Sequence, residues 1–307
     1  MIIISYHGDP HFLIGGYGDR IVGLISCRLI ANILNREFRI HWQKEDVSRY
    51  IDYSKYKCTD IAGGNTVLCQ VQHEVKHDLM GDHNCVNSPK TVFILNQEIA
   101  QYLYANTRYN IAARYYRDIF DAYKSLYTDI LLPTPHVRDI INNVCGESAS
   151  PIVGIQIRAG DVYIVNNSNY GSYNAFNNPS ETIHNYLSKI KNHIEQRHVA
   201  PNYRVFITSD YDDIKNIAAT LWSPDHILYY DEPVQHIDRP VSGEFGKFYI
   251  DNYILSQCTN DMYISAYSNY GRVAALSAPH TAVWDINTNP VNLKALVSKH
   301  EIIFPTD

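Results

Sequence analysis

Short apolar runs alternate with stretches of helical periodicity at the start of the chain. Ile2–Tyr6 and Phe38–Trp42 are rich in β-branched and aromatic side chains and have the length of buried strands. Between them, apolar side chains recur every three or four residues, which predicts a helix over residues 20–35. A strand, a glycine-rich loop, a helix and a second strand in this order indicate a βαβ unit.

The same alternation continues through the rest of the chain. A weaker, polar region at 50–87 allows a short strand over 66–71. Further strands are predicted over 91–95, 152–157, 203–209, 226–230, 261–265 and 281–284. Helices are predicted over 97–132 with a break at 106–110, and over 135–144, 180–198, 214–221, 248–259, 273–277 and 293–299. Residues 268–272 are predicted to form a turn before the helix at 273.

This order of elements predicts an α/β fold of two Rossmann-like domains that face a cleft. A linker of small residues at 145–150 places the boundary between a first domain, 1–148, and a second domain, 149–307. With 307 residues the chain has room for two cores of ordinary size. We expect the C-terminal helix to pack back on the first domain.

Composition narrows the class of protein. Hydrophobic residues make up 45% and charged residues 19% of the chain, which is typical of a globular protein. The formal net charge of −6 argues against a general nucleic-acid binder, so an anionic ligand would need a local positive site. The 25 tyrosines offer flat apolar surface with a hydroxyl, which suits sugars or bases, although packing explains most of them.

Signals for targeting and for disulfides are weak. The first residues lack the charged start and the length of a signal peptide, and no apolar run reaches the roughly 18 residues of a membrane span. We therefore expect a soluble, cytoplasmic protein. The six cysteines are scattered without a Cys-x-x-Cys pair, which is typical of free thiols.

One histidine-rich region raises the question of a metal site. His73 and His77 are four residues apart, and His83 and Cys85 follow them. The residues at 78–82 have the composition of a loop, and the chain has no His-Glu-x-x-His motif. We therefore expect no bound metal and no resident cofactor.

The apolar run that ends at Ile157 carries the strongest candidate chemistry. It delivers Arg158 and Asp161 to the end of a predicted strand, within the sequence Gly-Ile-Gln-Ile-Arg-Ala-Gly-Asp. Ligands of open α/β sheets bind beyond the carboxyl ends of the strands, so an arginine at this point suits an anion such as phosphate. The alternative is a surface Arg–Asp pair on a strand-end turn.

The loop before the first helix is the second candidate. Gly15, Gly16 and Gly18 would let the backbone approach a ligand, and the helix that follows offers free N–H groups. The loop matches neither Gly-x-Gly-x-x-Gly nor a P-loop, so it does not indicate dinucleotide binding or ATP hydrolysis. Asp19 could equally be a helix cap.

Four segments, taken together, resemble the superfamily of α-1,2-, α-1,6- and protein-O-fucosyltransferases. The first runs from Gly15 to Arg20 and includes the helix that follows. Residues 156–161 are similar to the motif His-x-Arg-x-Gly-Asp of that superfamily. Residues 205–210 form an apolar strand that ends in Thr-Ser-Asp, and residues 265–275 are similar to the third motif.

The resemblance implies a GT-B-type enzyme whose first domain faces the acceptor and whose second domain binds GDP-fucose. It implies that Arg158 holds the β-phosphate and neutralises the departing GDP. Asp210 would accept hydrogen bonds from guanine, and Arg272 would lie near the phosphates or brace the turn. The residues implied to bind the donor are Gly15, Gly16, Gly18, Gln156, Asp210, Ser268, Tyr270, Gly271 and Arg272.

One residue departs from the pattern of the superfamily. The first motif usually opens with histidine, which helps to recognise the base, whereas this chain has Gln156. An amide can both donate and accept hydrogen bonds, so it can still serve guanine. The substitution leaves open a different nucleotide-sugar donor.

The catalytic base is the remaining question. Inverting transfer needs a carboxylate or imidazole near the acceptor hydroxyl, unless an SN1-like path lessens that need. We predict Asp19 for this role by its place in the resemblance, with Asp161, Glu181 and Glu244 as alternatives. The prediction is an inverting, metal-independent fucosyltransferase with a glycan acceptor contacted by the polar loop 166–178. A non-catalytic protein that binds sugars or nucleotides is the other alternative.

Overall fold

The computed structural model describes residues 1–6, 15–43, 47–61, 66–69, 78–81, 87–146, 150–160, 176–197, 202–233, 246–279 and 282–297. Contacts within the chain divide it into two units, Met1–Leu132 with Val297–Asp307, and Pro133–Leu296. The boundary predicted from the linker lies at 148/149, so the two divisions differ in which unit holds the helix Pro135–Cys145.

The first unit contains a four-stranded parallel sheet. Its strands are β1 (Ile2–Tyr6), β2 (Phe38–Trp42), β4 (Thr66–Cys69) and β5 (Lys90–Phe93), in the order β2-β1-β5-β4. A further short strand, β3, spans Ile51–Asp52. The register aligns Ile2 with Phe38 on one side and with Thr91 on the other. All five residues of β1 are buried, which explains its unbroken apolar sequence.

The first helix of this unit packs on the sheet, and the later helices pack against the first. Helix α1 (Tyr17–Ile33) is followed by α2 (Ala100–Ala105) and α3 (Tyr115–Lys124). A π-helical turn, Leu126–Ile130, precedes the short strand β6 (Leu132–Pro133). The break predicted at 106–110 in the helical region 97–132 is confirmed, because residues 106–111 are not helical.

The second unit contains a five-stranded parallel sheet. Its strands are β7 (Ile152–Ile157), β8 (Arg204–Ser209), β9 (Ile227–Leu228), β10 (Met262–Ile264) and β11 (Val283–Asp285). Their order is β11-β10-β7-β8-β9, so the chain first moves to one side of β7 and then crosses to the other. This is the strand order of a Rossmann-type half.

Six helices accompany the second sheet in the part of this unit that the structure describes. They are α4 (Pro135–Cys145), α5 (Pro179–Gln196), α6 (Ile214–Ala219), α7 (Gly246–Ser256), α8 (Asn269–Ser277) and α9 (Leu293–Val297). The first two begin at Asn or Thr caps followed by proline, as their sequences predict. The buried side chains of β7, β8 and α5 form one core cluster.

Most predicted strands and helices are confirmed to within a few residues, but two predictions are wrong. Residues 78–80, within the segment predicted to be a loop, are helical. Residues 269–272 are the first turn of α8 and not a turn that precedes a helix. Their polar and glycine residues hide the helical periodicity that begins only at Val273. The five cysteines that the structure describes are free thiols. Among the helices in the described ranges, none is both long and apolar enough to cross a membrane.

Candidate functional site

The carboxyl edge of the second sheet brings most of the predicted residues together. All five strands are parallel, so β7, β8 and β10 end on the same side. The chain changes direction between β7 and its neighbour β10, which makes this a topological switch point. In open α/β sheets, ligands bind at the crevice outside such a point.

Asp210 organises the loop that leaves β7. Its Oδ2 lies 2.7 Å from Nη1 of Arg158 and accepts a hydrogen bond of 2.9 Å from the amide of Gly160. Its Oδ1 accepts a hydrogen bond of 2.5 Å from the amide of Ala159. Asp210 is buried, whereas the side chain of Arg158 is 29% exposed. The guanidinium is thus held by a buried carboxylate while part of the side chain remains accessible.

These contacts bear on the predicted role of Asp210. Both carboxylate oxygens accept hydrogen bonds from the chain itself, and Gly160, at φ +131°, supplies the backbone conformation that this loop requires. The aspartate therefore anchors the arginine loop. A contact between Asp210 and guanine stays a prediction.

Two residues that sequence reasoning missed hold Arg158 from the side of β10. The Oγ of Ser265 accepts a hydrogen bond of 2.8 Å from the amide of Arg158. The hydroxyl of Tyr267 donates a hydrogen bond of 2.8 Å to the carbonyl of Arg158, and its ring is one of the few large exposed aromatic surfaces described. Both lie in the segment 265–275 singled out from the sequence, but only the fold brings them to Arg158.

Helix α8 begins at this edge. Ser268 is its N-cap, and the carbonyl of Ser268 accepts a hydrogen bond of 3.1 Å from the amide of Arg272. The first amides of a helix lack intrahelical acceptors and carry the positive end of the helix dipole. Asn269, Tyr270 and Gly271 therefore present backbone N–H groups of the kind that bind phosphate.

Gln156 packs beneath this helix start. It is buried, and its Oε1 accepts a hydrogen bond of 3.3 Å from the amide of Ser265. A Cβ atom on Gly271 would lie 2.4 Å from the same Oε1 and 3.1 Å from Cβ of Ile264. Glycine at 271 therefore permits the close approach of α8 to the strands. A contact of Gln156 with a base stays a prediction.

Two other predicted donor residues brace α8. Arg272 is buried, donates a hydrogen bond of 3.2 Å to Oδ1 of Asn269 and donates another to the carbonyl of Leu296. Tyr270 donates from its hydroxyl to the carbonyl of Phe248, at 2.7 Å. Of the two readings of Arg272, these contacts match the one in which it braces the turn.

A buried ion pair lies behind β8. Nζ of Lys247 is 3.2 Å from Oδ2 of Asp251, and the hydroxyl of Thr208 donates to the same oxygen at 2.7 Å. Burial raises the pKa of Asp251, while Lys247 and the Thr208 hydrogen bond oppose that rise. The pair supports the strand two residues before Asp210. Sequence reasoning missed it, because a Lys and an Asp four residues apart on a helix usually face solvent.

The predicted glycine loop belongs to the first unit. Gly15 has φ +81°, and the amide of Gly16, the N-cap of α1, donates a hydrogen bond of 3.1 Å to Oδ2 of Asp19. Gly18 lies in the first turn of the helix. Asp19 therefore has the capping contact that the alternative interpretation expects, and its catalytic role stays a prediction.

Arg20 supports the same loop and was not assigned a role from the sequence. It is fully buried, with its guanidinium carbon 5.7 Å from the ring centre of Tyr6 and 5.8 Å from that of Trp42. Its Nε donates a hydrogen bond of 3.4 Å to the carbonyl of Gly15. The buried cation thus ties the glycine loop to the ends of β1 and β2.

The remaining candidates are divided between described and undescribed parts of the chain. Glu181 is exposed and accepts a hydrogen bond of 2.8 Å from Nδ2 of Asn178, next to the N-terminus of α5. Across the described ranges there is no cluster of three or more residues able to hold a metal. Outside the described residues lie Asp161, Glu244, His73, His77, His83, Cys85 and most of the loop 166–178.

Comparison with known proteins identifies the fold. No protein-family model and no curated protein sequence matches this chain. It is similar to an Arg-to-Lys mutant of Arabidopsis thaliana FUT1 in complex with GDP, at 15% identity and a TM-score of 0.63, over 92% of this chain and 70% of that one. It is also similar to NodZ α-1,6-fucosyltransferase soaked with GDP-fucose, at 13% identity and a TM-score of 0.57, over 95% and 97% of the two chains.

A third similar structure is POFUT1 in complex with GDP-fucose, at 12% identity and a TM-score of 0.50, over 93% of this chain and 97% of that one. At such identities the likeness establishes a shared fold. This chain therefore has the parallel-sheet α/β fold of these fucosyltransferases.

Proposed function

We propose that this protein is a glycosyltransferase that transfers fucose from GDP-fucose to a hydroxyl group of a glycan or glycoconjugate. The observation that carries the proposal is the site at the switch point, where Arg158 is held at the turn that begins α8. The fold around this site is shared with structures solved in complex with GDP or GDP-fucose.

The donor diphosphate has two sources of positive charge in this site. The guanidinium of Arg158 can bind two phosphate oxygens at once, and the first amides of α8 add hydrogen bonds from the backbone. Negative charge on GDP grows as the bond between the sugar and the β-phosphate breaks. A cation already held by Asp210 stabilises that charge without reorganisation.

Transfer in this proposal inverts the anomeric carbon and needs no metal. The acceptor oxygen attacks C1 of fucose from the face opposite GDP, the C1–O bond to phosphate breaks, and GDP leaves with the bonding electrons. The acceptor proton passes to a base, for which Asp19 stays the prediction. Arg158 and the amides of α8 supply the charge that a divalent cation supplies elsewhere.

Nucleotide binding tests the first half of the proposal. In the presence of EDTA, GDP should raise the melting temperature of the protein more than UDP, ADP or CMP does. The exposed-surface variant Arg138→Ala should keep this response and Arg158→Ala should lose it. A clear preference for UDP would contradict the proposal.

Turnover tests the second half and separates the alternatives. GDP-fucose incubated with an array of immobilised glycans should give transfer that Arg158→Ala abolishes. Because Gln156 stands where the resembling motif has histidine, the same assay should be run with a panel of other sugar nucleotides. Faster transfer from another donor would favour a different glycosyltransferase, and binding of GDP without transfer or hydrolysis of any donor would indicate a non-catalytic protein.

A further inference from the structure

A cavity lies in the first unit, away from its glycine loop. It has a volume of about 490 Å³ and is walled by the second half of α1 and by residues between Tyr104 and Ser125. Arg28, which lines it, follows Asp19 by nine residues and so lies roughly 13 Å further along α1 at ~1.5 Å per residue. The cavity has the size of a small-molecule site. We call it the Tyr109 pocket.

The charges of the Tyr109 pocket are balanced. Arg28 and Arg114 contribute two positive charges, and Asp118 and Asp121 contribute two negative charges. The lining has no excess of either charge, so neither a phosphate-like anion nor a simple cation gains net electrostatic attraction from it. The lining therefore suits a neutral ligand that offers many hydrogen bonds.

One side of the pocket is ordered by contacts within the chain. Oδ2 of Asp118 accepts a hydrogen bond of 2.9 Å from the hydroxyl of Tyr104 and lies 3.2 Å from Nη2 of Arg114. The guanidinium of Arg28, on α1, lies over the rings of Phe38 and Tyr56 and 3.9 Å from Oδ2 of Asp129. These contacts hold charged groups in place around the cavity before any ligand binds.

Other polar groups of the pocket remain available to a ligand. The side chains of Asn32, Tyr109 and Asp121 make no hydrogen bond or ion pair with any residue that the structure describes. Together they offer an amide, a hydroxyl and a carboxylate, which can both donate and accept. Ile33 and Ile111 and the tyrosine rings add apolar surface beside them.

We propose that the Tyr109 pocket binds a neutral saccharide unit. A sugar ring presents hydroxyl groups that donate and accept, together with apolar C–H faces, and this combination matches the lining. The site goes beyond the proposed transfer of fucose, because it lies within the first unit and uses none of the residues that we propose to bind the nucleotide.

Binding to an array of neutral oligosaccharides tests the proposal. The probes are immobilised glucose-, galactose-, mannose- and N-acetylglucosamine-containing oligosaccharides without acidic groups, and the strongest is then titrated in solution by calorimetry. Asp121→Ala and Tyr109→Ala should each weaken binding by about tenfold or more, because each removes a direct contact. Lys124→Ala, an exposed change on the same helix that does not line the pocket, should have no effect.

The controls separate this site from the nucleotide site. Arg158→Ala should keep the saccharide affinity while it loses GDP, so the two proposals can fail independently. Circular dichroism and melting temperature should show that the pocket variants remain folded. If Asp121→Ala does not fold, Asp121→Asn, which keeps the shape of the side chain, replaces it in the binding measurement. Absence of binding on the array, equal affinity in the pocket variants, or an equal loss in Arg158→Ala would each overturn the proposal.

Discussion

Nη1 of Arg158 lies 2.7 Å from Oδ2 of Asp210, although the two residues leave different strands. The aspartate is almost completely buried and also binds two backbone amides of the arginine loop. The arginine is therefore oriented by the protein before a ligand arrives. Preorganised charge of this kind is the form of electrostatic stabilisation that costs least during a reaction.

Asp210→Asn should both destabilise the protein and weaken nucleotide binding. The amide has one acceptor oxygen in place of two, so one N–H of the loop loses its partner and the arginine loses its counter-charge. We expect a loss of roughly 2–4 kcal/mol in the free energy of unfolding, measured by urea denaturation. Asp225→Asn, at an exposed aspartate of the same unit, is the control and should be neutral. Equal stability of Asp210→Asn would show that the carboxylate does not anchor the loop.

Arg158→Lys should bind GDP more weakly although the charge is kept. A lysine ammonium cannot contact Asp210 and two phosphate oxygens with the planar geometry of a guanidinium. We expect a loss of about 10- to 100-fold in affinity by calorimetry, and a larger loss for Arg158→Ala. Arg138→Lys, an exposed change, should leave the affinity unchanged. If Arg158→Lys binds as tightly as the natural sequence, the diphosphate does not lie at this arginine.

Gly271→Ala should destabilise the second unit because its Cβ would lie 2.4 Å from Oε1 of Gln156. We expect a cost of about 1–3 kcal/mol, as for other overpacked sites. Truncation of the opposing side chain should return part of this stability in the double variant Gln156→Ala/Gly271→Ala. A double-mutant cycle from urea denaturation measures the coupling, and additive effects would mean that the two residues do not meet.

His193→Gln should make the protein less sensitive to acid. Burial, and secondarily Arg197, lower the pKa of His193 below its ordinary value of 6.5, while Asp261 opposes the shift. The unfolded chain therefore takes up this proton first as the pH falls, so stability is lost from about pH 6.5 downward. Nδ1 of His193 also lies 3.0 Å from the hydroxyl of Tyr263, and the amide of a glutamine can replace part of this contact.

The measurement is the fall in melting temperature between about pH 7.5 and about pH 5.5. This fall should be smaller in His193→Gln than in the natural sequence. His184→Gln, at an exposed histidine of the same helix, is the matched control and should show the natural fall. If the melting temperature falls equally in all three proteins, His193 does not contribute to the acid sensitivity.

Local patterns in the sequence were sufficient for most of the elements. Buried parallel strands need continuous apolar runs, so Ile2–Tyr6 and Ile152–Ile157 were predicted with the bounds that the structure shows. The strand-end arginine and the glycine loop were also visible, because both lie beside such runs. The start of α8 was missed because its first turn is polar and contains glycine, so apolar periodicity begins only after it.

Only the tertiary structure decided how the site residues are used. Asp210 meets the arginine loop from about 50 positions away, Ser265 meets Arg158 from more than 100, and no local pattern encodes such contacts. The Tyr109 pocket likewise forms between α1 and residues 104–125, which are distant from α1 in the sequence. The sequence by itself determined the strands, the helices and the arginine at the strand end, because these follow from local patterns of burial. The hydrogen-bond partners of the site residues, the orientation of Arg158 and the Tyr109 pocket depend on which distant segments pack together. Packing is a property of the folded chain.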